Sequence, residues 1–125
     1  MSHSKGWVGV DLDATLAQYD HWRGVEHIGK PVPAMLERVR AWVASGQEVR
    51  IFTARAFRML SPEGSADRVE GERVVARIHE WLAEHGLPLL AVTCVKDFGM
   101  IELWDDRCIQ VIPNTGARAD GKEMV

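Results

Sequence analysis

Short apolar runs rich in β-branched residues alternate along this chain with segments whose apolar residues recur at helical spacing, and this alternation restricts the fold more than any other feature. "WVGVD" at 7–11, "EVRIFT" at 48–53, "LLAVTC" at 89–94, "IELWD" at 101–105 and "CIQVI" at 108–112 read as about five strands. After Pro33, Met35, Leu36, Val39, Trp42 and Val43 repeat with helical period until Gly46. Val74, Val75, Ile78, Trp81 and Leu82 do the same ahead of Gly86 and Pro88, and the stretches between do not repeat, so no internal duplication is read. Strands alternating with helices predict an α/β fold with a mostly parallel sheet flanked by helices on both faces. A chain of 125 residues, 46% hydrophobic, suffices for one such core and leaves no room for a second. Residues 1–125 therefore read as a single domain whose polar end, 113–125, is expected to fray.

Composition removes several function classes. With a formal charge of -3 and no polybasic run, the chain lacks a strong footprint for duplex nucleic acid. No stretch approaches the length of apolar residues needed to cross a membrane, and no leader pattern is visible, so the expected location is the cytoplasm. Cys94 and Cys108 lie inside apolar runs and read as small hydrophobes. The five histidines are scattered without metal-ligand spacing, so any metal should be held by oxygen. Trp7, Trp42, Trp81 and Trp104 fall in strands or on apolar helix sides and are assigned to the core.

In parallel sheets, ligands bind beyond the carboxyl ends of the strands, near the point where strand order reverses. Four strand ends here carry polar groups: Asp11 and Asp13 after the first, Thr53 after the second, Lys96 soon after the third, and Asp105 with Asp106 after the fourth. Burying unpaired carboxylates is costly, so the Asp11 and Asp13 pair calls for a cation, a hydrogen-bond network or a reaction to serve. Each residue has a structural rival reading: a turn cap for the aspartates, a strand-end hydroxyl for Thr53, a solvated lysine for Lys96. Arg55 has two readings of equal weight, contact with a substrate or pairing with a nearby acid.

In order along the chain, "VGVDLDATL", "IFTAR", Lys96 in "CVKDF" and "ELWDDR" resemble the four motifs of the haloacid-dehalogenase-like (HAD) phosphohydrolases, over about residues 8–112. One departure is Ala14, where that family often has Gly. The resemblance implies a small, Rossmann-like catalytic domain without a large cap. It also implies a Mg²⁺-dependent phosphatase that hydrolyses phosphate monoesters through an aspartyl-phosphate. Asp11 would be the nucleophile and Asp13 the general acid and then base; Thr53, the Ala54 N–H and Lys96 would hold the phosphoryl group. Asp11, the Asp13 carbonyl and Asp105 would ligate Mg²⁺, with Asp106 a direct or water-mediated helper.

Elementary electrostatics supports the need for such a set. A carboxylate brought to about 4 Å from a phosphate dianion is repelled by on the order of 8 kcal/mol at an effective dielectric near 20, so neutralisation must precede attack. Two alternatives remain. One is a receiver-type phosphorylation switch, which would meet its acidic pair before its phospho-acceptor, the reverse of the order here; the other is a catalytically silent binding domain of the same fold.

The partner expected is a phosphorylated substrate: a nucleotide, a sugar phosphate or a nucleic-acid end. Tyr19, Trp22, Arg23, His27 and Lys30 are candidate selectors and residues 57–68 a candidate lid. Oligomerisation is left open.

Overall fold

The first strand, β1 (Trp7–Val10), is buried along its whole length, as its unbroken apolar sequence requires of a central strand covered on both faces. The computed structural model describes residues 6–122. Helix α1 (Pro33–Ala44) starts on a proline whose fixed φ suits the first helical position, and buries Met35, Leu36 and Val39. It leads to β2 (Glu48–Phe52), where Val49 and Ile51 alternate inward. A 3-10 helix (Ala54–Leu60) follows, then α2 (Ala66–Glu84), capped by the Ser65 hydroxyl accepting from Arg68 N–H and carrying Asp67 in its first turn. Strands β3 (Ala91–Thr93) and β4 (Met100–Trp104) complete a four-stranded, all-parallel sheet ordered β3-β2-β1-β4.

The sheet has four strands, not five. Residues 108–112 leave it after β4, with Ile109, Val111 and Ile112 exposed, and turn back on themselves through Ile112 N–H to Ala117 O and Ala119 N–H to Gln110 O. Their apolar alternation suits a strand, but their backbone groups pair locally with residues 117–119 and not with the outer edge of β4, so they form a small antiparallel turn. The expected fraying of 113–125 therefore meets a hydrogen-bonded segment up to residue 121, and residues 123–125 lie outside the described part.

Helix cover is also one-sided. Val8, Val10, Val49 and Ile51 form one cluster with Met35, Leu36 and Val39 of α1 and with Val74, Ile78, Trp81 and Leu82 of α2. Two successive crossovers in the same direction, each right-handed, put both helices on the same face. The opposite face is crossed by the connector 94–99 running from β3 to β4. Its Asp97 accepts from Trp7 Nε1 at 2.9 Å and pairs with Arg50 at 3.6 Å, while Arg50 stacks on the Trp7 ring at 4.5 Å. Trp7 and Trp81 are core residues as expected; Trp42 and Trp104 pack edge to face at the core's margin, 5.3 Å between centroids.

Candidate functional site

Strand order reverses between β1 and β4, because β2 and β3 lie to one side of β1 and β4 to the other. The residues that follow these two strands converge there. Asp11 continues the ladder with its N–H on Trp104 O at 2.9 Å, which brings its side chain beside Asp105 and Asp106. One carboxylate oxygen from each of Asp11, Asp105 and Asp106 lies within 4.8 Å of the others. Asp105 is fixed by a local turn, its Oδ1 accepting from Arg107 N–H at 2.8 Å. Thr15 Oγ1 donates to Asp11 Oδ2 at 3.4 Å.

Three carboxyls this close cannot all stay charged without a counter-charge. Loss of water around it comes first, then the Asp105 charge, the hydrogen bond with Asp106 and the Asp106 charge. Together they push the Asp11 carboxyl up from 3.8 to about 7, against the pull of the Leu12 N–H. The donor set is all oxygen and all acidic, the chemistry that suits a hard divalent cation such as Mg²⁺, Mn²⁺ or Ca²⁺. These three aspartates can hold a metal ion.

Asp13 leaves that cluster and turns to Arg55. The guanidinium donates from Nε to Asp13 Oδ2 at 2.8 Å and from Nη2 to Oδ1 at 2.9 Å, a two-pronged pair with Arg55 almost wholly buried. Its remaining donors reach the carbonyls of Val25 at 3.2 Å and His27 at 2.9 Å, so one side chain ties β1's exit to the 18–32 segment. Of the two readings of Arg55, the structure gives the pairing with an acid.

Between the two strand ends, Ala14 adopts φ +71, the left-handed region that an L-residue enters at a cost and that glycine enters freely. Thr53 is buried and caps the 3-10 helix by accepting from Arg55 N–H at 3.2 Å. Thr53 and Ala54 line, with Asp11, Asp13, Asp105 and Asp106, a cavity of about 680 Å³.

Lys96 stands apart. It is exposed on the 94–99 connector and is not among the residues lining that cavity. Its charge is nonetheless felt nearby: partial loss of solvent and then Asp105, Asp11 and Asp106 push the Cys108 thiol up, and Lys96 opposes them. Cys108 itself is exposed and Cys94 half-buried and on the cavity wall, so neither is the core hydrophobe its apolar context suggests.

Of the candidate selectors, Tyr19 and Trp22 line the cavity. Arg23 instead pairs with Asp20 at 2.8 Å. Segment 57–68 is not a free loop: Gly71 of α2 sits so close to the 3-10 helix that a Cβ there would lie 2.9 Å from the Arg58 and Met59 backbone. Sequence reasoning passed over Arg107, which also lines the cavity and stands immediately after the Asp105–Asp106 pair. Its position beside that pair was the available signal.

A scan against protein-family models, a search among curated proteins and a search among solved structures each returned no match. Fold and site define the chain as a small parallel α/β domain with a three-aspartate, cation-competent cluster at its switch point. No helix among the described residues is long and apolar enough to cross a membrane.

Proposed function

We propose that this chain is a divalent-cation-dependent phosphatase acting on phosphate monoesters, with the HAD-type motif roles carried by its own residues. The observation that carries the reading is the convergence of Asp11, Asp105 and Asp106 at the switch point, with Asp13 and Thr53 on the same cavity wall. A hard cation such as Mg²⁺, held by Asp11, Asp105 and Asp106 with the Asp13 carbonyl that the resemblance adds, would offset the negative charge that keeps a carboxylate from a phosphate.

Asp11 then attacks phosphorus through a carboxylate oxygen; the ester P–O bond breaks and Asp13 passes a proton to the departing alcohol oxygen. In the second step Asp13 takes a proton from water, the water oxygen bonds to phosphorus, and the bond between Asp11 and phosphorus breaks. Arg55 holds both Asp13 oxygens from one side and leaves each a further lone pair for that proton traffic. The Thr53 hydroxyl, whose oxygen is already committed as a cap acceptor, is free to donate to a phosphoryl oxygen, beside the Ala54 N–H. Arg107 supplies positive charge on the wall, while Lys96, outside the cavity on the exposed connector, would have to swing in on its flexible stem to meet the phosphoryl group.

Hydrolysis of an aryl phosphate, with Mg²⁺ or with EDTA, tests the reading in the native protein and in Asp11→Asn and Asp13→Asn. Metal-dependent phosphate release that is lost in Asp11→Asn is the expected result. Metal-independent release, or release undiminished in Asp11→Asn, would reject it.

A further inference from the structure

Three aromatic side chains rim the acidic cavity and remain substantially exposed: Tyr19 at 40%, Trp22 at 52% and Phe57 at 59%. Two of them are backed on one side by a guanidinium. Arg55 lies over the Trp22 ring at 4.8 Å, and Arg58 over Phe57 at 5.3 Å. Arg55 is itself immobilised by its pair with Asp13 and by two carbonyls, and Arg58 donates to Asp67 at 3.0 Å. A guanidinium stacked on one face restrains the ring's orientation, which lowers the entropy lost when a ligand stacks on the other face.

We infer that this rim is a stacking platform for a nucleobase and that the substrate class is a nucleoside phosphate, free or at the end of a single strand; the inference rests on the phosphatase reading and narrows it. A sugar phosphate would leave the exposed faces of Tyr19, Trp22 and Phe57 on this wall without a partner, whereas a nucleobase would cover them. An aryl phosphate carries its ring directly on the phosphate oxygen. Here Trp22 is linked to the strand-end aspartates through Arg55 and Asp13, and both Trp22 and the cluster line one cavity, so a ligand could reach both at once. The cavity volume of about 680 Å³ fits a ligand of nucleotide size.

The test has a readout that needs no turnover. Adenosine and ribose are titrated against the native protein while the indole N–H signal of Trp22, assigned with Trp22→Phe, is followed by NMR. Adenosine is expected to shift that signal and ribose to leave it in place; no shift with adenosine overturns the inference, whatever the hydrolysis result. In the turnover arm, adenosine 5′-monophosphate is expected to exceed ribose 5-phosphate and phenyl phosphate in kcat/KM by about tenfold, the loss that removing one stacking aromatic produces. That ratio should collapse in Trp22→Ala and in Phe57→Ala and survive in Trp22→Phe. Equal kcat/KM for the three esters overturns the platform and leaves the phosphatase reading standing. An adenosine shift without phosphate release from any ester does the reverse. A 5′-phosphorylated oligonucleotide compared with the mononucleotide identifies the source of the nucleoside phosphate.

Discussion

Removing the negative charge of Asp11 should make the metal-free protein more stable. In the native state the Asp11 carboxyl is pushed from 3.8 to about 7, so between those values the folded protein binds a proton that the unfolded chain has released. Stability therefore falls as the pH rises through this window and stays low above it, the opposite of the usual salt-bridged aspartate. A rise from 3.8 to about 7 corresponds to about 4 kcal/mol, and because the group is only half-buried, solvent screening reduces this to about 2 kcal/mol. Asn keeps the shape and can still accept from Thr15 without the charge. Urea unfolding in EDTA should show Asp11→Asn more stable than the native chain by about 2 kcal/mol at pH 8, the gain shrinking toward zero as the pH approaches 4. Saturating Mg²⁺ should reverse the order at pH 8, since a ligand at about 100 times its Kd stabilises by roughly 2.7 kcal/mol. A destabilised variant at pH 8 in EDTA, or a gain equal at pH 4 and pH 8, would refute the reasoning.

Arg55→Ala should cost about 3 kcal/mol in denaturant unfolding, because it strands Asp13 and two carbonyls; Arg55→Lys should recover only part, lacking the planar fork. Ala14→Gly should raise the unfolding free energy by up to about 1 kcal/mol, relief of the φ +71 strain outweighing the added freedom of the unfolded chain; a lower denaturant midpoint would contradict the strain. If Arg107 is the cation fixed at the phosphate, Arg107→Ala should raise KM at least tenfold, whereas Lys96→Ala should act chiefly on kcat as a group recruited in the transition state. Steady-state kinetics on one aryl phosphate separates the two, and an effect of Lys96→Ala on KM alone would contradict that division.

The parts of this molecule legible in its sequence are those governed by local pattern. The unbroken apolar run of β1 gave a central strand, and the polar residues just past the strands fell on one edge because parallel strands all end there. That is why Asp11, Asp105 and Asp106 could be brought together on paper. Contacts set by topology were less visible. Residues 108–112 alternate like a strand, yet periodicity does not report which partner a strand takes, and here the partner is the following segment and not the sheet. One-sided helix cover follows from the direction of successive crossovers, and the route of 94–99 across the helix-free face follows from strand order; neither leaves a trace in composition. Arg55 and Asp13 are 42 positions apart, so their pairing had no local signature, and a comparably long separation in sequence hid the stacking of Arg55 on Trp22.

The most direct test of the central claim is to catch phosphate on Asp11. An activated aryl phosphate needs little proton donation to its leaving group, so in Asp13→Asn the first displacement should proceed while the water step stalls for want of a base. Rapid acid quench after mixing with Mg²⁺, followed by peptide mass spectrometry, should find a phosphorylated Asp11 that accumulates in Asp13→Asn and is absent with EDTA. Metal-dependent turnover in the native protein with the phosphate on another residue, or with none on Asp11 in the stalled variant, would contradict the account.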